Sequence, residues 1–235
     1  MKKGIIRREQ IIAAAEKLFY QQGYEATSVQ DILDQLGLSK GGFYHHFESK
    51  LQLLEAICAR HGAAGKERME AEVAAHQGDA AAQLDALLSC CALWRPDNLD
   101  YAALLLNVAY FGGSHELRAC VRSNTFSPAK ELVRGVVRDG IRQGVFFTRY
   151  PDEIGELVLD LYANITDDIA LGMVFPGPGG VDFGGIYARL DATRSAIETL
   201  LCAPMGTVTL CDRSDVAALE ALYRQRRADQ AQINP

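Results

Sequence analysis

No stretch of eighteen uncharged apolar residues occurs in this chain, and its opening, MKKGIIRREQ, runs straight into charge where a secretory signal would place an apolar core. Neither a membrane span nor a cleaved leader is expected, and we expect a soluble, cytoplasmic protein. The six cysteines, Cys58, Cys90, Cys91, Cys120, Cys202 and Cys211, include no C-x-x-C pair. That spacing disfavours both a zinc site and a disulfide framework, and buried thiols are the plainer expectation. Redox pairing of Cys90 with Cys91, or of Cys202 with Cys211, is the alternative, although no cluster of bases stands near either pair to favour a thiolate. Catalytic signatures are missing as well. There is no H-E-x-x-H, no G-x-S-x-G and no G-x-G-x-x-G after a strand, and His61, His76 and His115 have no carboxylate at a diagnostic spacing. The PGPGG run at 176–180 has no Lys-Ser/Thr after it, so it reads as a loop and not a phosphate cradle. We therefore expect no enzyme, no cofactor and no metal. Strand patterns flanked by paired turn signals are also absent, which leaves an all-α fold.

What is present is a chain of 235 residues, about half of them apolar (49%), with a net charge of −6. The acidity is unevenly placed. Residues 1–50 hold seven Lys/Arg and six Asp/Glu, whereas 51–235 hold seventeen and twenty-four. Lys2, Lys3, Arg7 and Arg8 form a basic N-terminal arm, which either reaches phosphate or minor groove or is a solvated tail.

The most informative stretch runs from Thr27 to Lys50. Val29, Ile32, Leu33 and Leu36 fall at i, i+3, i+4 and i+7, one apolar stripe of a short supporting helix. Thr27 and Gln30 have the spacing of a capping box at its start. Gly37 suits a left-handed residue at its end, and Ser39 suits the cap of a second helix about three residues on. On that second helix Phe43 and Phe47 share a packing face, while Gly41, Tyr44 and His45 point the other way and Lys40 stands at the exposed edge. Gly41 and Gly42 each cost about 1 kcal/mol against Ala inside a helix, which close approach of a partner backbone would explain. Ser49 and Gln52 form a second capping box that opens a third helix with Lys50 in its first turn, a natural phosphate contact.

This pattern, GxxxTSVxxIxxxxGLSKGGFYHHFxSKxxLL, resembles the DNA-binding domain of TetR-family transcriptional regulators from about Arg8 to Ile57. Leu33 stands where the family often has alanine, and Gly42 where many members carry a small polar side chain. The resemblance implies a three-helix reading head in 1–50 and a larger ligand-binding and dimerisation bundle in 51–235, joined by a helix over about 50–75. It further implies that Thr27 and Lys50 hold phosphates and that Lys40, Gly41 and Tyr44 approach base edges. His45 would contact base or backbone, with Ser39 and Gly42 in the same DNA-binding set. The partners implied are a double-stranded, near-palindromic operator, a second copy of the chain and a small-molecule ligand that releases a repressor. The alternatives are an activator or control by a protein partner.

Elsewhere Ile11, Ile12, Ala15, Leu18 and Phe19 predict a first helix over 5–22. Further helices are expected over 79–94, 99–111, 114–124, 127–143 with Ser127-Pro128 as cap and N1 proline, 152–174, 187–202 and 214–230. The 99–111 segment is apolar on nearly every face yet carries Asn107, and a buried amide needs a partner or costs about 1–3 kcal/mol. With Trp94, Tyr101, Tyr110 and Phe111 it is the expected wall of a ligand pocket. The resemblance implies a dimer formed through two of the long helices 127–143, 152–174 and 187–202.

Overall fold

The computed structural model describes residues 2–92, 101, 104, 115–210 and 213–233, and within these it leaves aside the side chains of 2–3, 115–127, 213, 222 and 226–233. All regular structure among the described residues is helical: α1 (Lys2–Gln22), α2 (Val29–Leu36), α3 (Lys40–Tyr44), α4 (Lys50–Ala75), α5 (Ala80–Cys90), α6 (His115–Gln143), α7 (Pro151–Val174), α8 (Phe183–Leu200) and α9 (Arg213–Ile233). No helix among them is long and apolar enough to cross a membrane.

The chain divides into two compact units, Met1–Ala64 with Asp100–Ser127, and Gly65–Leu99 with Pro128–Pro235. The division falls inside α4, some fourteen residues beyond the expected limit of the head at 50, and it brings the segment around Tyr101 into the first unit.

In the first unit the expected apolar stripes close on one another. Ile11, Ile12, Ala15 and Phe19 of α1, Ile32 and Leu33 of α2, Phe43 and Phe47, and Leu53, Leu54 and Ile57 of α4 are all at most 2% exposed. Each large side chain of this kind contributes about 1.5–3 kcal/mol by leaving water. That core fixes the angle at which the short helices leave α1.

The second unit is held differently. Asp79 caps α5, accepting from Ala82 N–H at 3.0 Å. After α6 the chain turns at Gly144 (φ 71°), and the Phe146 ring lies against Gly140 so closely that a Cβ there would stand 2.1 Å from a ring carbon. Gly140 is therefore required by contact and not by dihedral angle. Pro151 opens α7 at its first turn, one residue before the expected start at 152, and α7 packs along α8. The loop 201–210 is tied down by two carboxylates. Glu198, 4% exposed, accepts from Gly206 N–H (2.7 Å) and Val208 N–H (3.1 Å), and Asp85 accepts from Thr209 N–H (2.9 Å) and Leu210 N–H (3.0 Å). Burial pushes the Asp85 carboxyl up from its ordinary value against the opposing pull of those amides.

Two expected boundaries move. Residues 115–143 form one helix with Pro128 inside it, not two helices meeting at a Ser127-Pro128 start. A proline removes one i→i−4 bond and strains a helix, yet it does not have to end one when the flanking turns continue it. The helix expected from Tyr187 starts four residues earlier, because Asp182 caps it through Gly185 N–H at 2.9 Å.

Candidate nucleic-acid interface

α2, α3 and the turn between them are assembled from caps. Ser28, not Thr27, is the N-cap of α2: its Oγ accepts from Asp31 N–H (3.1 Å) and the Asp31 carboxylate accepts from Ser28 N–H (2.7 Å). These bonds from the Ser28 backbone and hydroxyl hold the Asp31 carboxyl below its ordinary value. The expected Thr27–Gln30 box is corrected by one residue, because Thr27 turns inward. Its side chain is fully buried, donates to Gly23 O at 2.7 Å and accepts from Gln22 Nε2 at 3.2 Å. A side chain so placed has no surface to offer a phosphate, which overturns the phosphate role expected of Thr27.

Gly37 adopts the left-handed conformation (φ 61°, ψ 39°) and ends α2, with Leu38 N–H bonding back to Leu33 O at 2.9 Å. Ser39 then caps α3 through Gly42 N–H at 3.2 Å. α3 proper has five residues, but His46 N–H still reaches Phe43 O (2.8 Å), as does Phe47 N–H (3.0 Å), so the helical path persists to Phe47. Phe43 and Phe47 are buried 5.9 Å apart, and the Phe43 ring meets the edge of Tyr44 at 5.4 Å. The opposite face carries Lys40, Gly41, Tyr44 (55% exposed) and His45, all exposed, with Gly42 half-buried. The expected reading face is thus one continuous surface.

Neither glycine of α3 is needed by the chain itself. Their φ angles are not positive, a Cβ on Gly41 would meet nothing within 4 Å, and one on Gly42 would make only ordinary contact, 3.5 Å from Ser39 Oγ.

Lys50 departs from expectation. At the first position of α4 its charge opposes the helix macrodipole, so the position needs another source of stabilisation. Its ammonium is turned onto the loop between α1 and α2, donating to Tyr24 O (2.8 Å) and Thr27 O (3.1 Å), with Glu25 O at 3.5 Å, and it lies 4.2 Å from the centre of the Tyr24 ring. An ammonium has three N–H groups, and three carbonyls face them here. Lys50 is a clamp on the loop that delivers Ser28, which corrects the expected phosphate contact. Ser49 does cap α4 (Gln52 N–H to Ser49 Oγ, 3.1 Å), but Gln52 Oε1 in return accepts from Glu48 N–H at 2.7 Å, one residue before the cap.

Sequence reasoning missed a cluster between α1 and α4. The Glu16 carboxylate of α1 accepts from Tyr20 OH (2.7 Å), from Arg60 and from His61 Nε2, and the His61 ring stacks on Tyr101 at 3.9 Å and 9°. Burial, with the Arg60 charge beside it, pushes His61 down to about 4. Glu16 and Tyr20 stand at i and i+4 and could have been paired on sight, but nothing in the sequence links them to residues more than forty positions away. Of the expected ligand-contacting residues, Tyr101 is buried at 8% exposure. Trp94, Asn107, Tyr110 and Phe111 lie outside the described residues, as do most of 99–111 and Cys211. Of the described cysteines Cys58 is buried as expected, Cys90 and Cys91 are half-buried and Cys202 is exposed, and desolvation pushes the Cys91 thiol up to about 12.

A capped helix, a left-handed turn and a second capped helix with one buried and one exposed face define a helix-turn-helix DNA-binding protein. Residues 11–57 match the family of bacterial regulatory proteins called tetR. The chain is 34% identical over 192 residues to the HTH-type transcriptional repressor Rv1474c of Mycobacterium tuberculosis, an alignment covering 81% of this chain and 92% of that one. It belongs to the TetR family of transcriptional regulators. Several other likenesses are confined to the head: the HTH-type transcriptional activator FasR of Mycolicibacterium smegmatis is 44% identical over 55 residues, 23% of this chain and 25% of that protein. Over several such relatives the chain spans only about a quarter of their length. Among solved structures, a transcriptional regulator from Saccharomonospora viridis in complex with choline superposes with a TM-score of 0.60 at 22% identity, covering 81% of this chain and 95% of that one. That likeness concerns the fold.

Proposed function

We propose that the chain is a homodimeric repressor that places one α3 per half-site in the major groove of a near-palindromic operator and leaves it when a small molecule binds the second unit. The exposed face of α3 carries this reading. Lys40, Gly41, Tyr44 and His45 present a donor, a bare backbone, an amphipathic ring and an imidazole on one side, and two glycines unneeded by the fold leave room for a groove wall. The repressor sense rests on the relative aligned along most of its length, and the small-molecule sense on the choline complex of a similarly folded protein. An activator remains the second reading, favoured by the likeness of the head to FasR. Two subunits suit this geometry, since a single five-residue helix would read only half a site. Within the second unit α7 and α8 pack side by side and Leu157 of α7 is half exposed, which suits them to meet a second copy.

The test is enrichment of duplexes from a random pool by the full chain, followed by footprinting and by Gly41→Ala. The expected result is a two-fold symmetric footprint, with Gly41→Ala raising stability by about 0.5–1 kcal/mol while weakening binding. An asymmetric footprint, or a Gly41→Ala variant that binds as wild type, would refute the assignment of the face. A thermal-shift screen of small molecules, repeated on the protein–duplex complex, tests release.

A further inference from the structure

The first turns of α1 form a surface that the helix-turn-helix leaves unexplained. Residues 4–10 are helical and every one of them is exposed, including Ile5 at 65% and Ile6 at 57%. A helix end this exposed loses conformational freedom while gaining little burial. Its charge is of one sign, with Lys2, Lys3, Arg7 and Arg8 against Glu9 alone. Local pairing is slight: Arg7 donates to Gln10 at 3.0 Å and Arg8 lies 3.6 Å from Glu9, both exposed contacts of the kind that contribute little.

Two contacts tie this end to the rest of the unit: Glu9 lies 4.0 Å from Arg60 of α4, and Arg8 lies over Phe47. The Arg8 guanidinium lies 5.0 Å from the centre of the Phe47 ring, at the point where the path of α3 finishes. The basic end of α1 therefore lies beside the C-terminal end of the α3 path, against the ring that supports it from beneath. Stacking on the ring holds the planar guanidinium in place while its N–H groups remain at an exposed site, the arrangement suited to phosphate oxygens.

We propose that the N-terminal end of α1 is a second DNA-contacting element, in which Arg7 and Arg8 bind phosphates flanking the base pairs read by α3. The inference rests on the DNA-binding reading above and extends it from one helix to two. A basic arm becomes a rigid strut: because the segment is helical from Lys2, its reach along the duplex is fixed.

The experiment compares wild type, Arg7→Gln, Arg8→Gln and the double variant, each as the full chain, on a mixed-sequence duplex and on a duplex enriched by the wild type. Binding is followed across a series of salt concentrations. Each lost phosphate contact should lower the slope of log K against log salt by about 0.9, so the double variant should lose nearly two units on both duplexes alike. Hydroxyl-radical protection should retract at the outer edge of each half-site. Arg8→Lys, which keeps the charge without the flat stack, should keep the slope. Thermal melts separate these effects from loss of fold, and Arg7→Gln tests the proposal without touching Phe47. An unchanged slope and footprint in a double variant that melts as wild type would overturn the proposal alone. Wild type that bound neither duplex would overturn it together with the DNA-binding reading. A change of oligomeric state in Ile5→Ser/Ile6→Ser, with the salt slope unmoved by the arginine changes, would assign the surface to a protein partner and overturn it too.

Discussion

Each unit has both local and distant ties, since Lys50 clamps a first-unit loop from afar and Asp79 and Asp182 cap second-unit helices locally, but the helix-turn-helix and the loop 201–210 are fastened in different ways. In the first, Ser28, Ser39 and Ser49 each accept from an amide three residues on, so the turns are written locally. In the second, Asp85 reaches amides at 209 and 210, and Glu198 reaches back over the loop that follows its own helix. Local caps allow a short recognition element to be placed with little sequence, whereas a loop held from a distance depends on the whole packing being right. The first unit is accordingly the part that a motif can describe.

The comparison can be broken most forcefully at its two cores. Phe43→Ala empties a fully buried site in the first unit and should cost about 3–5 kcal/mol, read as an early transition in urea unfolding that removes DNA binding. A single unshifted transition would mean that the head does not depend on this ring. Next, Glu198→Ala leaves the buried Val208 N–H without its acceptor and should cost about 1–3 kcal/mol, with the 201–210 amides exchanging faster with solvent. Protection of those amides equal to wild type would show that the loop is held by something other than the carboxylate. Ser28→Ala removes one local cap and should cost about 1 kcal/mol, confined to α2 in its exchange pattern. If Ser28→Ala cost more than Glu198→Ala, the contrast between local and distant fastening would fail.

The smallest effect is one of pH. His61 has its pKa lowered from 6.5 to about 4, so the folded state resists the proton that the unfolded chain accepts. Stability of the first unit is thus complete above pH 6.5 and declines as the pH falls from 6.5 towards 4. Because Glu16 touches the same ring, the comparison that isolates His61 is His61→Phe, whose melting temperature should depend less steeply on pH across that interval. Equal pH dependence in the two proteins would remove His61 from the account.

These contrasts also explain what the sequence disclosed. Gly37, Ser39 and Ser49 were legible because a cap acts over three or four residues, and Phe43 and Phe47 because the helical period places them together. Thr27 and Ser28 are adjacent and both have capping chemistry. Only the packing that draws the Thr27 hydroxyl to Gly23 decides between them. Lys50 looked like a phosphate ligand by position, and the carbonyls that claim it come from a loop 23 to 26 residues away. The Ser127-Pro128 pair has the local form of a helix start, and its surroundings carry the helix through it. Asp85, Glu198 and the Glu16 cluster depend on contacts that no period or spacing marks.

The shortness of α3 has a kinetic meaning. Five residues with two adjacent glycines are far below the length at which a helix persists in water, about 12–15 residues. Its order is lent by Ser39 at one end and by Phe43 and Phe47 beneath. The amides of 40–46 should therefore open more often than the rest of the head, on a path that does not require α1 or α4 to unfold. A reading element that flickers in this way can try successive stretches of duplex without committing to any, and becomes stiff only where the groove fits it. In such a head, discrimination between sequences arises in how long α3 stays formed as much as in which atoms it touches.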